Sequence, residues 1–348
     1  MSKPDKKSNS KFTDSINPNF RAQKSSLKSK KEFVDGIKTG NRTVLSQAIT
    51  LIESTRGEYR KLGEEILEDC LEDTGNSIRI GITGVPGVGK STFIESLGKK
   101  LLEEGKKLAV LTVDPSSSRS KGSILGDKTR MPELSAHKNA YVRPSPTGGT
   151  LGGVARKTRE IILLCEAAGY DIIFVETVGV GQSETTVQSM VDFFLLLMLA
   201  GAGDELQGIK RGIMEMADMI AINKADEKNI EKANQAKQEY KNALSLFPAH
   251  ESGWKPPVVT CSALERVGLE ELWTEIQKYF TLTKENGYFE SNRKEQSVFW
   301  MHEAIQGQLK ETFFQDPKVE KELPVLEEKV AAGSISSFKA ASEAFETI

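Results

Sequence analysis

The sequence predicts an α/β protein whose mainly parallel sheet is flanked by helices. Short apolar runs rich in β-branched residues alternate with longer segments of helical periodicity, a pattern typical of parallel strands joined by crossover helices. Polar turns follow these runs directly, where ligands bind in such sheets. The predicted strands are 77–82, 108–113, 171–176, 191–199, 219–223 and 257–261. The predicted helices are 91–104, 153–168, 205–217, 227–246 and 268–280.

Helical extensions are predicted on both sides of this core. Apolar residues at helical spacing before position 74 indicate two or three helices, and two more helices are predicted over 294–314 and 325–345, with Pro317 and Pro324 between them. The predicted division of the chain is a basic tail over 1–31, a helical arm over 32–76, a core domain over 77–282 and a helical region over 283–348.

A phosphate-binding loop is predicted between the first strand and the helix that follows it. Residues 84–91 read GVPGVGKS, which fits the pattern GxxxxGK[ST]. Its glycines allow backbone N–H groups to face a polyphosphate at a helix N-terminus. Lys90 is expected to reach the β- and γ-phosphates, and the Ser91 hydroxyl to bind Mg²⁺. The predicted nucleotide contacts here are Gly84, Val85, Pro86, Gly87, Val88, Gly89, Lys90, Ser91 and Thr92.

Two later motifs indicate that the base is guanine. Asn223, Lys224 and Asp226 form an NKxD pattern after an apolar run. A carboxylate at Asp226 can accept from both N1–H and N2–H₂ of guanine, whereas adenine would leave it unpaired. Asn223 is expected to tie this segment to the phosphate loop, and Lys224 to cover the base. The segment CSAL places Ser262, Ala263 and Leu264 to meet guanine O6. GTP is therefore the predicted ligand.

Acidic residues after other strands are candidates for binding Mg²⁺ and for catalysis. Glu176 ends one predicted strand, Asp114 follows another, and Asp127 lies in the loop 122–130. Because Mg²⁺ keeps several waters, these carboxylates can hold it through water. Gly179 is expected to sense the γ-phosphate through its N–H. The alternative for each acid is a turn cap or a solvated loop residue.

Composition excludes several classes of protein. The 348 residues have a net charge of −2 and a pI near 6.1, which argues against a nucleic-acid-binding surface. Three widely spaced cysteines without a CxxC pattern indicate a reducing, cytoplasmic setting without disulfides or zinc. The longest apolar run, Phe193–Ala202, is too short for a membrane helix. Residues 1–31, with nine Lys or Arg against two Asp, indicate a disordered tail, and an organellar address is the alternative.

Several long segments resemble one family, the methylmalonyl-CoA mutase-associated GTPases, which are called MeaB or ArgK in bacteria and MMAA in animals. These segments read GITGVPGVGKST, VDPSSSRSKGSILGDKTRM, RPSPTGGTLGGVARKT, DIIFVETVGVGQSE and GAGDELQGIKRGIMEMAD. The resemblance covers roughly residues 40–320, and Ala200 departs from it where relatives often carry Pro.

The resemblance implies a homodimeric P-loop GTPase that guards adenosylcobalamin-dependent mutases, gating cofactor loading and the replacement of damaged cofactor. It implies nucleotide, Mg²⁺ and switch roles for Lys90, Ser91, Asp114, Asp127 and Glu176. The segment Gly201–Gly212 maps onto a switch that communicates with the mutase, with Gln207, Lys210 and Arg211 as its working side chains. The 283–348 region would then build the dimer interface. Methylmalonyl-CoA mutase and related acyl-CoA mutases are equally compatible clients.

The predicted activity is slow GTP hydrolysis that a partner accelerates. No glutamine follows Gly179 directly, and Val180 and Gly181 precede Gln182, so intrinsic turnover is expected to be low. Two alternatives are a protein kinase, as an older name for the ArgK group suggests, and a metal-insertion GTPase. The first lacks the HRD and DFG motifs of kinases, and the second lacks His-rich or Cys-rich tracts.

Overall fold

The core of the protein is a parallel β-sheet. The computed structural model describes residues 27–113, 130–144, 151–177, 183–201, 211–226 and 228–347. Within these residues the sheet has seven strands in the order β3-β2-β4-β1-β5-β6-β7, all paired in parallel. The strands are β1 (Ile78–Gly84), β2 (Leu108–Val113), β3 (Ala140–Arg143), β4 (Ile172–Thr177), β5 (Phe193–Leu199), β6 (Met219–Asn223) and β7 (Val258–Thr260). The predicted fold class is confirmed.

Helices cover both faces of the sheet and extend beyond it at either end of the chain. The described helices that precede β6 are α1 (Lys30–Lys38), α2 (Arg42–Glu53), α3 (Gly57–Cys70), α4 (Lys90–Glu103), α5 (Pro132–Ala136), α6 (Leu151–Ala167), α7 (Ser183–Gln188) and α8 (Arg211–Glu215). Those that follow are α9 (Ile230–Leu244), α10 (Leu269–Glu285), α11 (Tyr288–Gln315), α12 (Pro317–Ala331) and α13 (Ser337–Glu346). None of the helices in the described ranges has the length and apolarity that a membrane span requires.

Burial on both faces explains why the strands are almost continuously apolar. Side chains of β2 and β4 alternate between two hydrophobic clusters, one formed with α1–α3 and α6 and the other with α4 and α10. All residues of β2 and of β4 are buried, as is usual for parallel strands covered by helices. The long apolar run that begins at Phe193 forms the buried strand β5, as predicted, and β5 lies between β1 and β6 in the sheet.

Three short elements of the fold have no local sequence pattern that predicts them. Strand β3 has only four residues and lies at the edge of the sheet, where its pairing with β2 defines it. Helices α5 and α7 have five and six residues, which is too short to show a helical period. Their formation depends on tertiary contacts.

The C-terminal region differs from the predicted pair of helices. Pro317 is the first residue of α12, where its missing N–H costs nothing, and Asp316 caps the helix. Pro324 lies inside α12 and does not separate two helices, so that prediction was wrong. The predicted helix 325–345 is instead interrupted after Ala331, because Gly333 adopts a φ of 69° and its neighbour Ser334 donates back to Lys329 O.

A buried ionic network joins the sheet to the C-terminal helices. Arg79 of β1 pairs with Glu166 of α6 at 2.8 Å, and Arg293 of α11 pairs with Asp192 at 2.7 Å. Burial alone would raise the pKa of Glu166, but the guanidinium of Arg79 outweighs it and holds that pKa below its ordinary value. Removing one member would leave an uncompensated buried charge. The network therefore holds α11 against the amino ends of β1 and β5.

Two glycines that precede α10 and α11 allow a test of the packing between the start of α10 and β7. Gly268 and Gly287 precede α10 and α11 with φ of 75° and 79°. A Cβ on Gly268 would lie 2.5 Å from Thr260 O, whereas one on Gly287 would meet open space. Both substitutions to Ala incur the left-handed strain of about 1 kcal/mol. We expect Gly268→Ala to lower the free energy of unfolding by about 1–3 kcal/mol more than Gly287→Ala.

Urea unfolding followed by circular dichroism measures both variants against the wild-type protein. Gly287→Ala is the matched control, since it changes the same residue type in the same backbone conformation. Equal losses in the two variants would show that the close contact with Thr260 does not exist in solution.

Candidate nucleotide-binding site

Four parallel strands place the predicted nucleotide residues at one edge of the sheet. The phosphate loop follows β1, Glu176 lies in β4, and the two base-recognition segments follow β6 and β7. Because β4 and β1 are neighbours, as are β6 and β7, their carboxyl ends open onto one crevice.

The phosphate loop joins β1 to α4 through a left-handed glycine. Gly89 has a φ of 94° and precedes Lys90, the first residue of α4. A Cβ on Gly89 would lie 3.1 Å from the Asn223 side-chain nitrogen. Glycine is therefore required here both for the turn and for the close approach of the base-recognition segment.

Lys90 lies inside the loop that it is predicted to serve. Its Nζ donates to Gly84 O at 2.8 Å and to Val85 O at 3.4 Å. Burial lowers the pKa of Lys90 from its ordinary value, while the carboxylates of Glu176 and Glu184 oppose that change. A partly desolvated ammonium group binds an incoming phosphate more strongly than one in open water does, because the local dielectric constant is lower.

Ser91 and Glu176 form an oxygen pair suited to Mg²⁺. The Ser91 hydroxyl donates to Glu176 Oε1 at 3.3 Å. Glu176 is buried in β4, and a hydrogen bond of 2.8 Å between Thr177 and Thr83 ties the ends of β4 and β1 together beside it. Hydroxyl and carboxylate oxygens are the ligands that Mg²⁺ prefers, and it commonly uses only one or two protein groups. The residues present therefore fit this ion.

Asn223 connects all three motifs. Its side-chain nitrogen donates to Val88 O at 2.8 Å, and its side-chain oxygen accepts from Ala263 N at 3.0 Å. The residue is 1% exposed. One buried amide thus holds the phosphate loop and the segment after β7 in register, and Ser96 of α4 adds a bond of 2.6 Å to Ala263 O.

Lys224 and Asp226 follow β6 at the carboxyl end of the sheet. Lys224 has a φ of 58° and its Nζ donates to Gly87 O at 2.8 Å, so its stem crosses towards the phosphate loop. Asp226 is half-buried, and its backbone oxygen accepts from Asn229 N at 2.8 Å. Ser262 is buried and Leu264 is 79% exposed.

Other predicted site residues lie outside the described residues. They are Asp114, Asp127, Gly179 and Lys210, together with Gln182 and Gln207. Arg211 begins α8, but its side chain belongs to the same undescribed set. Among the described residues no group of three or more His, Cys, Asp or Glu side chains is arranged to hold a metal ion.

Sequence reasoning missed two charged residues near Lys90. Glu184, which is 3% exposed, begins α7 with Ser183 and attracts the Lys90 charge. Arg130 is exposed, and its charge acts on Lys90 in the opposite sense. No short motif identifies either residue, because their positions depend on how α5 and α7 pack.

The sheet order, the loop after β1 and the Asn223 junction define a P-loop GTPase. The chain belongs to the family described as methylmalonyl Co-A mutase-associated GTPase MeaB, whose model matches residues 45–318.

Individual relatives agree with this membership. A probable GTPase of Mycobacterium tuberculosis is 49% identical over 319 residues, covering 90% of this chain and 95% of the relative. The mouse mitochondrial methylmalonic aciduria type A homolog is 47% identical over 323 residues, covering 89% and 78%. The crystal structure of a LAO/AO transport system kinase is similar with a TM-score of 0.72 and 36% identity, covering 92% of this chain and 99% of that one.

Proposed function

We propose that this protein hydrolyses GTP to GDP and phosphate and uses the cycle to act as a chaperone of an adenosylcobalamin-dependent methylmalonyl-CoA mutase or a related acyl-CoA mutase. In this proposal it gates the loading of the mutase cofactor and protects or reactivates the mutase. The observation that carries GTP binding is the Asn223 junction, in which one buried side chain bonds both Val88 and Ala263. The family description supports the client.

Guanine recognition is assigned to the segments after β6 and β7. Asp226 is proposed to accept from N1–H and N2–H₂ of the base. The N–H groups of Ser262 and Ala263, which were also expected to meet O6, donate instead to Val267 O and to the Asn223 side-chain oxygen, both at 3.0 Å, so the proposed donor to O6 is the N–H of Leu264. The Lys224 stem covers one face of the ring, because its Nζ is already held at Gly87. Adenine would leave the Asp226 carboxylate without donors, and such an unpaired group is what discriminates between the bases.

Hydrolysis is assigned to the crevice between the phosphate loop and β4. The water oxygen attacks the γ-phosphorus, and the bond from that phosphorus to the β–γ bridging oxygen breaks. The electron pair of that bond leaves with GDP, and the protons of the water stay with the released phosphate. Lys90 moves from the loop carbonyls onto the β- and γ-phosphates and offsets their charge. Bound Mg²⁺, held by Ser91 and through water by Glu176, Asp114 and Asp127, would supply further charge neutralisation.

We assign to residues 201–212 the role of the switch segment that signals to the mutase. The segment leaves the end of β5, which lies between β1 and β6 in the sheet, and returns through α8. Because β5 pairs with β1, whose end begins the phosphate loop, we assign to this segment the role of responding to loss of the γ-phosphate. Order and disorder of such loops is the usual means of signalling in GTPases. Gln207, Lys210 and Arg211 are its proposed contacts with the mutase.

A homodimer is part of the proposal. Helix α11 carries Val298, Met301, Ile305 and Leu309 at helical spacing, and each is about half exposed or more. An apolar stripe of this kind on a long helix is typical of a surface that another chain covers.

The three cysteines are all free and buried, which suits the cytoplasm as the proposed compartment.

A GTPase assay with and without purified methylmalonyl-CoA mutase tests the proposal. We expect slow release of free phosphate from the protein alone and faster release with the mutase, by up to about 10³-fold if the partner completes the site. Size-exclusion chromatography should show a complex whose stability differs between GDP and a non-hydrolysable GTP analogue. No acceleration together with no nucleotide-sensitive complex would contradict the mutase assignment.

A protein kinase is the second candidate, because the similar crystal structure is named as one. It predicts that labelled γ-phosphate appears on a protein. The proposed GTPase predicts that the label appears as inorganic phosphate. The same reaction mixture, separated by gel electrophoresis and thin-layer chromatography, distinguishes the two.

A further inference from the structure

The carbonyl groups of Lys224 and Asp226 are both bonded to one residue, Asn229. The Asn229 side-chain nitrogen donates to Lys224 O at 3.0 Å, and its backbone N–H donates to Asp226 O at 2.8 Å. Between them, Ala225 N donates to Cys261 O at 3.0 Å, which ties the segment to the residue that follows β7. Three consecutive residues of the base-recognition segment are thus held through their backbone, and Asn229 holds two of them.

The backbone of Lys224 adopts a conformation that requires such support. Its φ of 58° lies in the left-handed region, which is unfavourable for a residue that carries a Cβ. A strained backbone persists only where the surrounding structure determines it. The bond from the Asn229 side chain fixes the direction of the Lys224 carbonyl, while the bond from Lys224 Nζ to Gly87 O fixes the end of its side chain. Asn229 therefore stabilises a turn that the residue type at position 224 disfavours.

The Asn229 side chain makes this bond in place of the one that its position favours. Asn229 immediately precedes α9, where an asparagine side chain normally accepts from N–H groups of the first helical turn. Here it makes no such bond, and its amide nitrogen is bonded to the segment before the helix. A residue that only began the helix would not need an amide donor, since Ser and Asp begin helices about as well. The amide group is therefore used by the base-recognition segment.

These bonds bear on the Asp226 carboxylate, which is the group assigned to guanine. The Asp226 carbonyl is one of the two that Asn229 holds, and the preceding Ala225 is bonded to Cys261. To accept from N1–H and N2–H₂ together, the two carboxylate oxygens must lie near the plane of the base, because hydrogen bonds weaken steeply when they are misaligned. A segment that is already held in place also avoids the entropic cost of being ordered when the ligand binds.

We propose that Asn229 is a positioning residue for guanine recognition, which holds the Lys224 and Asp226 carbonyls so that the Asp226 carboxylate meets the base. The inference rests on the proposed GTPase function and deepens it. Asn229 acts through the backbone of the segment and needs no contact of its own with the nucleotide. Its loss is therefore expected to weaken recognition of the guanine ring and to leave binding of the phosphates unchanged.

The test measures the affinity of Asn229→Ala in the full chain for GDP, inosine diphosphate and ADP by calorimetry. GDP affinity is expected to fall by about 3–10-fold, the range for net loss of one hydrogen bond between a side chain and the backbone. Affinity for inosine diphosphate should fall less, because its base lacks the 2-amino group and offers Asp226 one donor in place of two. ADP affinity should stay unchanged, because adenine lacks both donors.

Two further variants separate this role from helix capping and from a general loss of stability. In Asn229→Asp the side chain keeps its shape and its capacity to cap α9, but it has no N–H to donate to Lys224 O. We expect N229D to lose GDP affinity, relative to ADP, at least as strongly as N229A. Asn286→Ala is the matched control, because Asn286 follows α10 and its side-chain nitrogen donates to Ser252 O at 2.9 Å. It should leave all three affinities near the wild-type values.

A double-mutant cycle with Asp226→Ala tests whether Asn229 acts through that carboxylate. If it does, adding N229A to D226A should change GDP affinity by less than about twofold, since the group that Asn229 positions is already absent.

Other outcomes overturn the assignment. Equal losses for GDP, inosine diphosphate and ADP in N229A would show that the residue only supports the fold. N229D with the wild-type preference for GDP would show that helix capping explains the residue. Additive effects of N229A and D226A, or N229A affinities that match the wild type, would contradict positioning of the carboxylate. All of these leave the proposed function intact, whereas wild-type protein that binds none of the three nucleotides overturns the proposed function and this inference with it.

Discussion

Replacement of Lys90 by Ala is expected to reduce GTP hydrolysis by at least about 10²–10³-fold, the range for loss of one preorganised donor at a developing charge. Lys90 is the first residue of α4, and its Nζ lies within 2.8 Å of Gly84 O in the phosphate loop. Its partial desolvation adds to the effect, since the attraction of a cation for phosphate grows as the local dielectric constant falls. Affinity for GTP should fall more than affinity for GDP, because the lysine is assigned to both the β- and γ-phosphates.

Single-turnover hydrolysis and titration with fluorescent nucleotides measure these two quantities. Lys106→Ala is the matched control, because Lys106 is an exposed cation just beyond the other end of α4. Lys90→Arg should remain poorly active, since the wider planar group does not fit the position of a compact ammonium. Hydrolysis by K90A within about threefold of the wild-type rate would remove Lys90 from the proposed site.

Replacement of Asp226 by Ala is expected to weaken GTP binding by about 10²–10³-fold, because two hydrogen bonds to a charged acceptor are lost at roughly 1.5–3 kcal/mol each and solvent recovers part of that free energy. Affinity for ATP should stay weak or rise slightly, so that the preference for GTP over ATP nearly disappears. Asp226 is half-buried beside Lys224, and the bond from Asn229 N to its backbone oxygen fixes its position after β6. The effect should therefore be confined to the base.

The variant Asp226→Asn sharpens this test. An amide nitrogen at this position would oppose the N2–H₂ donor of guanine but pair with the carbonyl that xanthine carries at the same position. We expect D226N to prefer XTP to GTP, as measured by calorimetry with each nucleotide. Asp35→Ala, an exposed carboxylate of α1 remote from the phosphate loop, is the control. A D226A protein that binds GTP like the wild type would show that the base lies elsewhere.

Local sequence patterns were sufficient for the elements that do not depend on distant partners. The phosphate loop, the strand before it and the helix after it were predicted because glycine spacing and apolar periodicity are properties of adjacent residues. Helix α4 begins at Lys90 and β2 spans Leu108–Val113, close to their predicted bounds. The helix predicted over 268–280 forms as α10 and continues to Glu285.

Elements defined by tertiary contacts were missed or misplaced. Strand β3 exists because Ala140 pairs with Leu108 and Tyr141 with Ala109 on an already formed β2. Pro324 was expected to lie between two helices. Inside α12 its cost is offset by a cap at Asp316 and by Val319 and Leu326, which are buried against their surroundings. These contributions come from residues that a local pattern does not bring together.

By itself the sequence determined the fold class, the phosphate loop and the order of the base-recognition motifs, since each depends on patterns among residues that are close together in the chain. Only the tertiary structure decided that the Asn223 side chain bonds both Val88 and Ala263. The physical reason is the strand order, which places the ends of β1, β4, β6 and β7 along one crevice. The order of the strands in the sheet cannot be inferred from their order along the chain, because the strand order depends on how the helices bury both faces of the sheet.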